Sequence, residues 1–348
     1  RPVVYTHPDK RFDLERTYVF LENHALRARL IATAEEHGAL MVRGSAHAVT
    51  HTRTHSVVAV GGGALTARLV VDATGHKTRL VQRAASPLPG VQTAWGVELG
   101  EGAHALGLGD VEREMVLMDF RPWADTPAHE QPTFLYGMKR GERVFFEETS
   151  LVSRPEMRLD TLEHRLKMRL KSRRFTYEDG DIEEIERCWI PMGGALPDLD
   201  QRVVGFGGAA VMVQPASGYQ IARALGWSPG LASAIAAGLD ERLDPERLAA
   251  QAWNTMWTQE RIKQRELYLY GLEAMLDFDA ARTRAFFTSF FELPTPLWSG
   301  YLCGTLGRAR LAEVMLRVFG RASAGTRLDL MRPALGSKGL HLLKGLMP

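Results

Sequence analysis

The segment Leu69-Val70-Val71-Asp72-Ala73-Thr74-Gly75 decides the fold class of this chain. Its apolar run is typical of a buried strand, and the four residues from Asp72 to Gly75 end that strand in a turn. A second strand, Arg202–Val204, runs into Gly205-Phe206-Gly207-Gly208. Two strands that end in turns of small residues give two places where a ligand can approach the backbone closely. This pairing predicts a site for a large planar cofactor with a phosphate tail.

The glycine segment also fits G-x-G-x-x-G/A, but that pattern alone is weak. A dinucleotide site needs a helix directly after the glycines, whereas Pro215 and Gly218 delay the helix until Tyr219. One interpretation is a plain tight turn. The other places an anionic ligand group at the start of the helix, where backbone N–H groups are exposed. The predicted cofactor-binding residues are Asp72, Ala73, Thr74, Gly75, Gly205, Gly207, Gly208, Pro215, Gly218 and Tyr219.

Composition excludes several classes of protein. The chain has 348 residues, 45% of them hydrophobic, and a formal net charge of +2, which excludes a disordered chain and a general nucleic-acid binder. Its two cysteines, Cys188 and Cys303, exclude a disulfide framework and a Cys-rich zinc site. No apolar run reaches the ~18 residues of a membrane span. No signal peptide is visible, and the start at Arg1 suggests a cut N-terminus.

Hydrophobic periodicity predicts a β/α segment, then short strands, then helices. This order predicts an α+β fold with an α/β remnant. The predicted helices are Tyr18–His37, Thr161–Lys171, Tyr219–Leu239, Pro245–Met275, Ala280–Phe290 and Leu306–Phe319. The predicted strands are His55–Val60, Leu65–Asp72, Gln92–Leu99, Met115–Phe120, Thr133–Met138, Arg143–Thr149 and Arg202–Val204, with a glycine hairpin turn between the first two.

Most of the sequence, from about Tyr18 to Met331, resembles the flavin-dependent lycopene cyclases. The block Phe146-Glu147-Glu148-Thr149-Ser150 is highly specific to that family, whereas the glycine blocks are shared with other flavoproteins. Further matching stretches are Val70–Gly75, Thr93–Gly96, Val116–Asp119, Pro132–Tyr136, Phe145–Val152, Ile190–Pro197, Gly205–Tyr219, Arg265-Glu266 and the phenylalanines between Phe286 and Phe291.

The resemblance implies a flavoprotein fold of the hydroxylase and geranylgeranyl-reductase type. It implies residues 1–90 as a partial FAD-binding domain, 91–190 as a β-rich substrate domain, 191–240 as the return of the FAD-binding domain, and 241–348 as a helical, membrane-associated region. The implied enzyme is an intramolecular lyase or isomerase of carotenoid biosynthesis. It closes a β or ε ring on lycopene or a related linear carotenoid, with reduced FAD as cofactor and NAD(P)H as reductant. Bacterial cytoplasmic membrane surfaces and plastids both fit.

Two departures from the family pattern bear on these expectations. The N-terminal βαβ unit with its G-x-G-x-x-G loop is not found, so we expect the chain to be a fragment. The family often has His before the proline of the glycine block, and here that position is Gln214; no acid–base role is assigned to it. The alternatives are therefore a related FAD-dependent monooxygenase or polyprenyl reductase, or an inactive carotenoid-binding remnant.

Glu147 is the candidate acid, with Glu148 as the second catalytic candidate. Burial beside Phe145 and Phe146 would raise the pKa of Glu147 toward that of a useful general acid. Successive strand residues point to opposite faces, so a regular strand cannot send both carboxyl groups into one pocket. The resemblance favours Glu147. A solvated pair on an edge strand is the alternative.

Aromatic side chains could stabilise a carbocation and bind the polyene. The predicted substrate-binding residues are Trp95, Tyr136, Phe145 and Trp298, with Tyr219 and Tyr301 as further candidates for cation stabilisation. For each of them an ordinary place in the core is the alternative.

Two further features of the sequence are a histidine cluster and a basic C-terminal tail. His47, His51 and His55 lie four residues apart, but their β-branched neighbours favour a strand or hairpin, and no metal site is predicted. Residues 301–348 carry a formal excess of six positive charges. The apolar residues of this tail are a helix stripe of Leu311, Val314, Met315, Val318 and Phe319, followed near the end by Leu340, Leu342, Leu343, Leu346 and Met347. This basic, amphipathic tail fits an anionic membrane face, or alternatively packs on the core.

Overall fold

The computed structural model describes residues 1–86, 88–100, 115–123, 126 and 130–347. Twelve strands lie in these residues. They are β1 (Pro2–His7), β2 (Lys10–Asp13), β3 (Ala46–His51), β4 (Ser56–Val60), β5 (Gly63–Ala67), β6 (Val70–Asp72), β7 (Val91–Leu99), β8 (Met115–Asp119), β9 (Thr133–Arg140), β10 (Arg143–Ser150), β11 (Ile182–Pro191) and β12 (Val203–Gly205).

Ten α-helices lie in the described part of the chain. They are α1 (Asn23–Glu36), α2 (Leu159–Ser172), α3 (Ile221–Asp240), α4 (Pro245–Met256), α5 (Gln259–Met275), α6 (Ala280–Phe291), α7 (Thr295–Cys303), α8 (Arg308–Arg321), α9 (Ala324–Met331) and α10 (Gly339–Leu346). The predicted α+β class is confirmed.

A seven-stranded sheet in the order β11-β7-β10-β9-β8-β1-β2 forms the centre of the fold. Its pairs are antiparallel except β1 with β8. Strands β1 and β2 join this sheet although they precede residue 91, and the division into domains stays a prediction.

The large sheet has a helix layer on each face. Leu162, Leu166 and Leu170 of α2 pack with Phe146 on one face, and Phe287 and Phe290 of α6 pack with Phe145 on the other. Because neighbouring residues of β10 alternate between these two layers, the sheet separates two different environments. Every second residue of β10 therefore faces the C-terminal helices.

Two predicted elements are divided in the structure. The predicted helix 245–275 is wrong as a single element. α4 ends at Met256, and Thr258 caps the separate helix α5 by accepting a hydrogen bond from the backbone N–H of Arg261. The predicted strand 65–72 is β5 and β6, separated at Arg68 and Leu69.

The prediction that the strand at Leu69–Val71 is buried is wrong. Val71 is 43% exposed and only Asp72 of β6 is buried, because β6 pairs with β12 alone in a two-stranded parallel sheet. Helix α1 is shorter than predicted and contains no buried residue. Within the described ranges, no helix is both long enough and apolar enough to cross a bilayer.

Candidate active site

A largely apolar cavity lies between the C-terminal helices and the face of β10 that carries Glu147. Its volume is about 770 Å³ out to its open mouth, which is the size range of small-molecule sites. The lining residues are Tyr18, Gln92, Leu117, Met118, Phe134, Tyr136, Glu147, Thr149, Leu151, Ile190, Ala216, Ser217, Gly218, Tyr219, Phe287 and Leu302. Glu147 is the one carboxylic acid among them.

Glu147 is partly buried at this cavity wall. Burial raises its pKa to about 7, the nearby charge of Glu186 acts in the same direction, and Arg140 and the hydroxyl of Thr149 oppose it. Thr149 Oγ1 donates a hydrogen bond of 2.7 Å to Glu147 Oε1. At neutral pH a substantial fraction of this group is therefore protonated and able to act as an acid.

Glu148 lies on the opposite face of the sheet. Its two carboxylate oxygens accept hydrogen bonds from Nε and Nη2 of Arg169, each 2.8 Å long, and both side chains are buried. The register of β10 with β7 and β9 continues through this point without a bulge. The two glutamates are therefore not brought into one pocket, and the geometry gives Glu148 a buried ion pair with α2 in place of a contact with the cavity.

A cluster of phenol groups in the cavity was only partly found from the sequence. The phenol of Tyr18 lies beside those of Tyr136 and Tyr219 in the cavity wall. Burial raises the pKa of Tyr136 and of Tyr219, so both stay protonated. Tyr18 was missed because no periodic pattern points to a residue that precedes α1 and reaches the cavity by tertiary packing.

The two predicted cofactor turns meet in space. Strand β6 runs parallel to β12 with Asp72 opposite Gly205, and Phe206 N donates to Asp72 O at 2.8 Å. Inside the first turn, Asp72 Oδ1 accepts hydrogen bonds from the backbone and hydroxyl of Thr74, at 2.9 and 2.6 Å. Ligands of α/β folds bind outside the carboxyl ends of such parallel strands.

The backbones of these turns approach so closely that side chains are excluded. A Cβ on Gly208 would lie 2.8 Å from His76 N and 3.0 Å from the carbonyl carbon of Gly75. Gly75 has a φ of +92° and no atom within 4 Å of its Cβ position, so this turn is open toward solvent. This cradle of closely spaced backbone, which no side chain fills, fits a phosphate-bearing flat group.

The loop after the glycines connects this cradle to the acid. Residues 211–217 lead to Gly218, whose φ is +73°, and to Tyr219, and both line the cavity of Glu147. The helix begins later than predicted, at Ile221. Gln214, in place of the family histidine, is buried; its Nε2 donates to Tyr301 O and its Oε1 accepts from Ala216 N. Gln214 thus holds the loop in shape.

Three of the four predicted substrate-binding residues do not line the cavity. Trp95 pairs in register with Glu148 and lies on the α2 face, because residues directly opposite each other share a face. Trp298 packs against Phe291 at 5.5 Å in the helical core. Phe145 lies on the correct face but beneath Tyr136, 6.1 Å away. For Trp95 and Trp298 the core interpretation is correct, and Tyr136 alone of the four lines the cavity.

The histidines lie on the predicted hairpin, and the tail packs on the core only in part. His51 Nδ1 contacts Ser56 Oγ on the β3–β4 hairpin, whereas His47 faces Arg79. In the tail, Leu311, Val314 and Val318 of α8 are buried against the core. This packing excludes that stripe from membrane contact, while Leu340, Leu343 and Leu346 of α10 are exposed.

The sequence matches one family of known proteins over most of its length. The sequence model described as lycopene cyclase protein matches residues 1–328. The chain belongs to the lycopene cyclase family. It is 36% identical over 342 residues to the chloroplastic lycopene beta cyclase of Arabidopsis thaliana, covering 94% of this chain and 67% of that protein. It is 40% identical over 321 residues to lycopene beta cyclase of Synechococcus elongatus, covering 90% and 76%.

Solved structures with the same fold are flavoenzyme-like. A geranylgeranyl bacteriochlorophyll reductase-like protein of Thermoplasma acidophilum has a TM-score of 0.64 at 13% identity, covering 96% of this chain and 81% of its own. A halogenase solved in complex with FAD has a TM-score of 0.55 at 9% identity, covering 99% and 77%. At these identities the likeness concerns the fold, which agrees with the fold type expected for the lycopene cyclase family.

Proposed function

We propose that this chain catalyses the acid-initiated cyclisation of the linear end of lycopene to a β ring. The observation that carries this proposal is Glu147, a carboxylic acid with a pKa near 7, in the wall of an apolar cavity. A polyene end contains no group that could hydrogen-bond, so an apolar cavity with one acid suits it. The beta cyclases of plants and a cyanobacterium support the choice of ring.

The reaction needs a proton donor and a dry environment. Glu147 delivers its proton to the terminal double bond and forms a tertiary cation. A neighbouring double bond attacks that cation and closes the six-membered ring, and loss of a proton from an adjacent carbon completes the product. Leu117, Phe134 and Phe287 keep water from this cation. The faces of Tyr136 and Tyr219 stabilise it at about 0.5–2 kcal/mol each.

FAD is the cofactor that the cradle fits. Asp72 to Gly75 and Gly205 to Gly208 would hold its phosphate-bearing part, and the loop ending at Tyr219 would lie beside its ring. In reduced form, with NAD(P)H as the reductant, the flavin would supply negative charge near the cation in a dry site. The chain's own contribution is to bind that group next to the acid.

We also place the enzyme at an anionic membrane surface, of bacteria or of plastids, where its insoluble substrate resides. Leu340, Leu343 and Leu346 of α10 are more than half exposed, and residues 301–348 carry a formal excess of six positive charges. Apolar side chains beside basic ones are typical of helices that lie in a membrane interface.

The direct test is product analysis. The protein is incubated in D₂O with FAD, NADPH and lycopene in detergent micelles. The products are separated by chromatography, and their masses are measured by mass spectrometry. We expect β rings with one deuterium per ring, because the proton added to the polyene exchanges with solvent on Glu147. Recovery of unchanged lycopene would contradict the proposal. An oxygenated or hydrogenated product would favour a monooxygenase or a reductase.

A further inference from the structure

Two carboxyl groups face each other across a residue without a side chain. Glu147 of β10 is paired with Gly96 of β7, and Gly96 is paired with Glu186 of β11. Directly paired residues share one face of a sheet, so both glutamates lie on the same side. A Cβ at Gly96 would be 2.7 Å from Phe145 Cζ and 3.4 Å from Glu147 Cβ. The ring of Phe145 fills the space above Gly96, and with no side chain at Gly96 no group of β7 stands between the two glutamates on this face.

The next row of the sheet supplies one hydrogen-bond donor to each carboxyl group. Thr149 and Cys188 are both paired with Ala94, another small residue of β7. Thr149 Oγ1 donates to Glu147, and Cys188 Sγ donates to Glu186 Oε1 at 3.3 Å. Burial raises the pKa of the Cys188 thiol, so it stays protonated and remains a donor. One ligand atom from each of Glu147, Glu186 and Cys188 lies within 4.8 Å of the others.

The two glutamates differ in their access to solvent. β11 is the edge strand of the sheet and Glu186 is exposed, whereas Glu147 faces the cavity. A polyene in the cavity would separate Glu147 from water at the mouth, so reprotonation there would have to wait for product release. A span of up to 4.8 Å is one that a single water molecule can bridge.

We propose that Glu186 is a proton-relay residue that returns a proton from bulk solvent to Glu147. The proton crosses the sheet over Gly96 and does not pass through the cavity mouth. The proposal rests on the proposed function. A proton passes from the carboxyl group of Glu186 through the bridging water to a carboxylate oxygen of Glu147. Glu186 then takes a proton from bulk water, while the proton released during ring closure leaves with a separate base. No electrons are transferred.

The charged and titratable groups around Glu147 are consistent with a relay. They are Tyr136 and Arg140 from β9, Glu148 from the opposite face of its own strand, Glu186 and Cys188 from β11, and the phenols of Tyr18 and Tyr219 across the cavity. Of the carboxyl groups among them, Glu186 alone combines exposure to solvent with the same face of the sheet as Glu147.

The test separates the first turnover from the later ones. Protein loaded with reduced FAD is equilibrated at pH 5, where Glu147 starts protonated in wild type and variant alike, and mixed with excess lycopene in micelles, and ring formation is followed by rapid quench. In Glu186→Gln we expect one ring per chain at the wild-type rate, followed by steady turnover that is roughly tenfold slower or more. Added formate or acetate, as small diffusible acids, should restore the later turnovers.

Two variants serve as controls. Glu186→Asp keeps a carboxyl group and should retain most of the steady rate. Glu184→Gln removes an exposed carboxylate two residues away on the same strand and should behave as wild type. An unchanged steady rate in Glu186→Gln would overturn the relay. An equal fall of first and later turnovers, without rescue by formate, would also overturn it, because that pattern indicates a structural role.

A second readout does not depend on cyclisation. The carboxyl carbon of Glu147 is titrated by NMR in ¹³C-glutamate-labelled protein, with Glu147→Gln used for assignment. The midpoint should move to lower pH in Glu186→Gln, because a nearby negative charge that raises the pKa of Glu147 is removed. If wild-type protein forms no ring but this shift occurs, the proposed function fails and the contact stands. Ring formation without the shift would overturn the contact itself.

Discussion

Glu147 and Glu148 are consecutive in β10, yet their carboxyl groups lie in separate layers of the molecule. Glu147 accepts a hydrogen bond from Thr149 at the cavity wall, whereas Glu148 is bound by two nitrogens of Arg169 in the core beneath α2. Strand alternation alone produces this separation. Two neighbouring residues of one strand thus have different roles: Glu147 is an acid with a pKa of about 7, and Glu148 is a structural anion.

Removing the structural anion should destabilise the fold. In Glu148→Gln the guanidinium of Arg169 stays buried without its charge partner. We expect the free energy of unfolding to fall by about 3–5 kcal/mol, the usual cost of breaking one side of a buried pair. Urea unfolding followed by circular dichroism measures this. Glu147→Gln is the matched control and should change the stability much less, so equal losses in the two variants would contradict the assignment.

The rate of cyclisation should depend on the protonation of Glu147. Its pKa is raised to about 7, and the protonated form is the active one. kcat/KM should therefore be high below pH 7 and fall tenfold for each pH unit above it. Initial rates between pH 5 and 9 check this. A profile that is flat from pH 6 to 9 would show that a group other than Glu147 supplies the proton.

A side chain in the glycine cradle should weaken flavin binding. Gly208→Ala places a Cβ 2.8 Å from His76 N and so forces the two turns apart. Overpacking of this kind costs about 1–3 kcal/mol, which corresponds to a roughly tenfold to hundredfold higher Kd for FAD. Quenching of flavin fluorescence measures the Kd. The control is Gly226→Ala in α3, where a Cβ meets no atom within 4 Å; an equal effect there would point to general destabilisation.

The exposed leucines of α10 should determine membrane binding. Wild-type protein should co-sediment with vesicles that contain phosphatidylglycerol and less well with neutral ones. Replacing Leu340, Leu343 and Leu346 together by Ser should weaken binding at least roughly tenfold, since each buried leucine contributes about 1.5–3 kcal/mol. Leu225→Ser, at an exposed leucine of α3, is the control. Wild-type protein that stays in the supernatant with both vesicles would contradict the membrane proposal.

Local patterns predicted much of this molecule. Alternation in β10 separated Glu147 from Glu148, and glycines marked the β4–β5 turn and the cradle. These features depend on neighbours in sequence, where backbone geometry alone sets the outcome. The two strand-ending turns were predicted to act together, and the parallel pairing of β6 with β12 confirms that they meet.

Apart from that pairing, features that depend on long-range strand pairing were not predicted. The proximity of Glu147 to Glu186 requires the register of three strands, which the sequence of no single strand contains. Trp95 was assigned to the substrate because its aromatic character is visible while its face of the sheet is not. Tyr18 reaches the cavity from a segment that lies outside any regular element.

The most direct test of the account is the rate of ring formation by Glu147→Gln. The variant keeps the shape and hydrogen-bonding capacity of the side chain but cannot donate an acidic proton. In protein shown to bind FAD as wild type does, chromatography should reveal a loss of cyclisation of roughly 10²-fold or more. Cyclic carotenoid formed by this variant at the wild-type rate would contradict the claim that Glu147 protonates the substrate.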